Sequence, residues 1–222
     1  MEGIAAIVLA AGRSKRMGAF KPLLPFGNRT VIESCIEHLR GRGVETVIVV
    51  IGQGSDAKSL QKHLKDAQVT VVVNPDANSE MSDSIRCGVS QLPQQTKALL
   101  ITPADHPAVP CFVIAELINA WRQGAPLVVP TFNERGGHPV VVDISFRDQL
   151  LNLDPQYGLK GLFRSHPGIA RRLAVNSNYI ARDMDTWDDY RVLHEEVFGV
   201  PPSPGGELGP KDEQNGAVIM SN

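Results

Sequence analysis

Two patterns of apolar residues alternate along this chain. Short, nearly continuous runs rich in valine and isoleucine occur at Ile4–Ala10, Thr46–Ile51, Val69–Val73, Ala98–Thr102, Leu127–Pro130 and Pro139–Val142. They show little polar alternation, which predicts strands covered on both faces. Between them lie amphipathic stretches. Val31, Cys35, Ile36 and Leu39 form one helical stripe, and Leu60 and Leu64 mark a second helix with Ser55 or Asp56 as its cap. Ile85–Leu92 and Val113–Trp121 read as a third and a fourth helix. Strand–helix alternation of this kind predicts a three-layer α/β/α fold with a mostly parallel, Rossmann-like sheet, whose ligands sit at the carboxyl ends of the strands.

After about residue 131 the pattern changes. The turn-rich segment Glu134–Pro139 leads into a strand. Helices are expected near Arg147–Leu151, Leu159–Ser165 and Thr186–Phe198, and a strand at Arg172–Val175. From Pro201 the Pro, Gly and charge content cannot support a core. The expected organisation is one domain over residues 1–200 and a flexible tail over 201–222.

Bulk composition narrows the class. A chain of 222 residues with a net charge of −2 is long enough for a full core and is not a general nucleic-acid binder. No apolar run approaches the length of a membrane span, and no secretory signal pattern is present, so a cytoplasmic protein is expected. Cys35, Cys87 and Cys111 are scattered, without metal-binding spacing, and are expected to be reduced, mostly buried thiols.

Candidate chemistry begins right after the first apolar run. The stretch Leu9–Lys21, LAAGRSKRMGAFK, places Gly12 and Gly18 among Arg13, Lys15, Arg16 and Lys21. Backbone N–H groups of a glycine-containing turn can cradle an anion, and the cations neutralise it, so a polyphosphate is the natural ligand. The spacing is neither a P-loop nor G-x-G-x-x-G. A plain surface loop with solvated charges is the competing reading.

Further candidates lie after later runs. Asp105, in Thr102-Pro103-Ala104-Asp105, would face the same crevice and ligate Mg²⁺, or else cap the helix near Pro110. Asp183-Met184-Asp185-Thr186 precedes the last helix, where Asp185 or Thr186 is an N-cap and a carboxylate is a second metal ligand. Asn74, Ser82 and Ser84 flank the third helix start, where hydroxyls suit a ribose or base and Ser82 also suits a plain cap. His106 and His138 are either structural or functional. Gly52–Ala57 fits G-x-G-x-x-A, with Asp76 at a suitable distance for a ribose contact. It supports a nicotinamide-dependent oxidoreductase, or simply a strand-to-helix turn that needs glycine.

The pattern L-A-A-G-x-S-x-R-M-G-x-x-K in Leu9–Lys21 resembles the N-terminal motif of the MobA-like nucleotidyltransferases, which include enzymes that attach GMP or CMP to the molybdenum cofactor. TPAD and D-x-D-T resemble the molybdenum-cofactor cytidylyltransferase branch. The resemblance implies a nucleotide-diphospho-sugar transferase type of fold and transfer of a nucleotide, CMP from CTP or else GMP from GTP, onto a molybdopterin-type phosphate acceptor. It implies Lys21, Arg13 and Arg16 as catalytic cations. It implies Leu9, Ala10, Ala11, Gly12, Gly18, Asn74, Ser82, Ser84, Pro103 and Ala104 at the nucleotide, and Mg²⁺ on Asp105 and Asp185, with Asp183 the weaker ligand. Gly137-His138-Pro139 resembles the family's G-H-P on the acceptor side, and a molybdenum hydroxylase subunit is an implied partner. The chain departs from the family at Glu80, where glycine is usual, at Asp83, where serine is usual, and at Leu159, where G-D-x-G-A-R has an acid. The last departure leaves room for a maturation factor that binds nucleotide or cofactor without catalysis.

Overall fold

The computed structural model describes residues 3–12, 17–40, 42–76 and 80–203. The strands are β1 Ile4–Ala10, β2 Pro25–Phe26, β3 Arg29–Thr30, β4 Thr46–Ile51, β5 Thr70–Val73, β6 Ala98–Pro103, β7 Leu127–Phe132, β8 Arg135–Gly136, β9 Val140–Asp143 and β10 Ala170–Ala174. The α-helices are α1 Val31–Arg40, α2 Ser55–His63, α3 Met81–Ser90, α4 Cys111–Arg122, α5 Arg147–Leu151, α6 Gly158–Arg164 and α7 Trp187–Phe198.

The main sheet runs β10-β7-β9-β6-β1-β4-β5, with β8 paired to β7. β1 lies parallel to both β4 and β6, and β4/β5 and β7/β10 are also parallel. β9 is antiparallel to both neighbours, β6 and β7. Every residue of β1 is buried, and its side chains alternate between two cores. Ile4, Ala6 and Val8 pack with α1, α2 and α4, whereas Ala5, Ile7 and Leu9 pack with α3, α5 and α6. This is why the strand reads as an unbroken apolar run and why the fold has three layers. Among the described residues, no helix is long and apolar enough to cross a membrane.

Several local expectations needed correction. α2 is capped by Gly54, at φ 102°, and Ser55 and Asp56 are its first helical residues. The glycine supplies a left-handed turn that a serine or aspartate cap does not need. α3 starts at Met81 rather than Ile85, behind an N-cap at Glu80, so Ser82 is not the cap. Its first turn is polar, and apolar periodicity does not register it. The hairpin β2–β3 has strands of only 2 residues each and left no periodic trace. Cys35 is buried, but Cys87 and Cys111 are only partly so; all three are free thiols. The expectation for residues 201–222 falls outside the described residues from 204 onward.

Candidate active site

The chain passes from β1 to β4 to β5 on one side, then returns to place β6 on the other side of β1. The crevice at the carboxyl ends of β1 and β6 is therefore the topological switch point, the expected ligand site of such a sheet. A cavity of about 230 Å³ lies there. Its walls are Leu9–Gly12 after β1, Lys21 and Pro22, Pro103–Asp105 after β6, and Glu80, Met81 and Ser84 from the start of α3. The backbone of Ala104 donates to Leu9 O at 3.0 Å, tying the two strand ends together.

The glycines of this region have separable reasons. Gly18 has φ +65°, a left-handed conformation that favours glycine. A Cβ on Gly12 would meet nothing within 4 Å, so the protein's own packing does not demand glycine there. Gly52 does face a close neighbour, since its Cβ would lie 3.2 Å from Ala11 O. In Gly52–Ala57, the first glycine is thus accounted for by packing and Gly54 by its turn. Arg13 and Arg16 lie outside the described residues.

The charged centre is formed by three distant positions. Lys21 begins a short 3-10 turn and is buried. Its Nζ donates to Asp185 Oδ1 at 2.8 Å and to Asp105 Oδ2 at 3.4 Å. The capping alternatives for both aspartates fall away. α4 is capped by Pro110, not Asp105. α7 is capped by Thr186, whose Oγ1 accepts the Asp189 N–H at 3.1 Å while Asp189 accepts back from Thr186 N at 2.7 Å. Asp185 is thereby left to face Lys21, whereas Asp183 is exposed.

A residue of no assigned role in the sequence organises this geometry. Met184 is fully buried between the two aspartates and shares a small core with Met17, Phe26, Val31, Tyr190 and Leu193. Met17 carries the first loop onto this core, so one apolar cluster aligns the loop, the hairpin and α7. The signal was present as an apolar residue alternating with acids in Asp183-Met184-Asp185, as in an extended segment with one face buried.

Ser84 lines the cavity and its Oγ accepts from Asn74 Nδ2 at 3.0 Å. Asn74 and Ser82 are buried and do not line the cavity; Asn74 Oδ1 accepts the Asp76 N–H at 3.1 Å, an Asx turn that shapes the β5–α3 connection.

Two histidines, His106 buried and His138 half-buried, stand behind Asp105. His106 Nε2 is 3.7 Å from Asp105 Oδ1, beyond hydrogen-bonding distance. Its ring centroid is 5.5 Å from that of His138. Burial lowers the pKa of His106 despite the opposing influence of Asp105 and Asp183. Burial, reinforced by His106, lowers that of His138 to about 4. Both rings are therefore neutral at pH 7, and the Nδ1 atom of each has no hydrogen-bond partner among the described residues. His138 N donates to Ile180 O at 2.8 Å, and a Cβ on Gly137 would lie 2.2 Å from the same oxygen. Gly137-His138 is thus pinned to the segment that leads to Asp185. His138 also lines a second cavity of about 810 Å³ between β7–β9, α6 and β10, and Met81 lines both cavities.

The chain that carries this site has relatives among known proteins. Nicotine blue oxidoreductase of Paenarthrobacter nicotinovorans is 26% identical over 200 residues, covering 86% of this chain and 96% of that protein. Molybdenum cofactor cytidylyltransferase of Escherichia coli K12 is 25% identical over 197 residues, covering 88% and 97%. The crystal structure of Rv0371c from Mycobacterium tuberculosis H37Rv is similar with a TM-score of 0.77 at 28% identity, covering 86% of this chain and 98% of that one. A manganese complex of the same protein has a TM-score of 0.74 at 27% identity, covering 87% and 99%. The sequence profile of the MobA-like NTP transferase domain matches residues 6–170, a span that contains the first loop, Lys21 and Asp105, and on that match the chain belongs to the MobA-like NTP transferase family.

Proposed function

We propose that residues 1–200 form a nucleotidyltransferase that moves CMP from CTP onto the phosphate of a molybdopterin-type acceptor. The observation that carries this reading is Lys21 held between Asp105 and Asp185 beside the Gly12 backbone. In this reading the triphosphate lies along Ala11–Gly18, with Lys21, Arg13 and Arg16 neutralising it. Leu9, Ala10, Pro103 and Ala104 form the walls, and Ser84, backed by Asn74 and Ser82, faces the nucleoside. An acceptor phosphate oxygen attacks the α-phosphorus in line. The new P–O bond forms as the α–β bridge breaks, and pyrophosphate takes the electron pair. The nucleophile is already anionic and needs no general base, so positioning and charge stabilisation supply the rate.

Asp105 and Asp185 already converge on one cation, the Lys21 ammonium, and they offer only oxygen donors, which suits Mg²⁺. Among the described residues no set of three metal-binding side chains assembles, so phosphate oxygens and water would complete its shell. When bound, the metal supplies positive charge at the phosphate oxygens. The acceptor reading draws support from the second cavity, which Lys160, Arg164 and Arg172 rim and where no described lining residue is acidic. The cytidylyltransferase reading draws support from LAAG, TPAD and the likeness to the E. coli enzyme.

Likeness to a protein named an oxidoreductase favours a second reading, in which NADH binds at Gly52–Ala57. Calorimetry with CTP, GTP, ATP and NADH, each with and without Mg²⁺, separates them. Mg²⁺-dependent CTP binding followed by pyrophosphate release with a molybdopterin acceptor is the expected result. Binding of NADH alone overturns the transferase reading, and CTP binding without pyrophosphate release converts the protein to a maturation factor.

A further inference from the structure

Glu80 is an acid in a cavity whose other end is built for an anion. It lines the same cavity as Gly12 and Lys21. Asp105 at the Lys21 end is paired with that cation, whereas Glu80 has no ion-pair partner among the described residues, so a polyphosphate belongs at the Lys21 end and is repelled beside Glu80. Glu80 must then face the uncharged part of a nucleotide. Its place is well held. Asp83 Oδ2 accepts the Glu80 N–H at 2.9 Å, and Arg86 Nη1 donates to Asp83 Oδ1 at 2.9 Å. Arg86 Nε in turn donates to Leu151 O at 2.9 Å, which ties the start of α3 to the end of α5. Ser84, one helical turn after Glu80, lines the same cavity.

These two side chains read hydrogen-bond polarity differently. A hydroxyl donates or accepts by rotating, so Ser84 does not discriminate. An ionised carboxylate only accepts. Resting on the nucleotide reading above, we infer that Glu80 is a specificity-determining residue that accepts an N–H from the exocyclic amino group of the base. The site then takes an amino-bearing pyrimidine and rejects its oxo counterpart, which sets a carbonyl oxygen against the carboxylate.

CTP and UTP isolate this interaction, since they differ at the group on C4 and the protonation of N3. Binding of Mg²⁺–CTP, Mg²⁺–UTP and Mg²⁺–dCTP is measured by calorimetry on the full chain. Wild type is expected to prefer CTP over UTP by about 10-fold or more. Glu80→Gln, whose amide both donates and accepts, is expected to bring the ratio to about 3 or less. An unchanged CTP/UTP ratio in Glu80→Gln overturns the inference while leaving nucleotide binding intact. A change only in the CTP/dCTP ratio also overturns it, by moving Glu80 to the ribose. Failure of every nucleotide to bind wild type overturns the transferase reading itself.

Discussion

Lys21 and Gly12 test the site at the residue scale, because each separates function from folding. Lys21 lies between two partly exposed carboxylates at 2.8 and 3.4 Å, at the rim of the sheet rather than in its core. Lys21→Ala should lower turnover by about 10²-fold or more, the size of effect seen when a preorganised charge is removed. Circular dichroism should show an intact fold; full activity in the variant would sink the proposed role. Gly12→Ala makes the complementary case. Its Cβ would enter open space in the empty protein, so stability should stay within about 0.5 kcal/mol. If phosphate closes on that backbone, CTP affinity should fall by about 10-fold or more, and unchanged affinity would place the triphosphate elsewhere. Both residues were singled out in the sequence by their place after a buried strand, and the structure brings both to the cavity wall. Asn74 and Ser82 show the limit: their polarity was visible, but not that burial would keep both off the cavity wall, with Asn74 bonded to Ser84 instead.

At the scale of elements, the strands and most helices were readable from periodicity alone. Long runs such as Ile4–Ala10 carry enough pattern to fix their type, and that prediction matched β1 end for end. The short pieces did not. The hairpin β2–β3 is too short to show a period, and the first turn of α3 is held by the polar Glu80–Asp83 capping pair, which apolar periodicity does not register. The pinning of the β8–β9 turn to the segment before α7 is likewise tertiary. A Cβ at position 137 would sit 2.2 Å from a backbone oxygen of Ile180, which cannot move independently. Gly137→Ala should therefore destabilise the protein by about 3 kcal/mol, near the upper end for overpacking. Urea denaturation would show it, and a loss below about 1 kcal/mol would mean the two segments are not rigidly joined.

For the whole molecule, histidines held neutral by the fold should lower stability in acid. Burial, helped by Arg29, lowers the pKa of His38 to about 4. His138 is shifted the same way. In the unfolded chain a histidine takes up its proton near pH 6.5, so between about pH 6.5 and 4 the unfolded state binds more protons. Stability is full above this window and falls as pH drops through it, by at most about 1.4 kcal/mol per pH unit for each such group. His38→Leu should show a shallower loss between pH 6.5 and 5 in urea melts, and a slope equal to wild type would mean His38 is protonated in the fold. The amino-acid sequence alone determined the layered α/β class and singled out the segment LAAGRSKRMGAFK, because buried strands and the glycine-bearing segments after them are local in their demands. Only the tertiary structure decided that Lys21 meets Asp105 and Asp185, residues 84 and 164 positions away, and that Met17 and Met184 align them in one small core. Contacts at such separations depend on strand order and on the switch that adds β6 on the other side of β1 from β4, which no local pattern records.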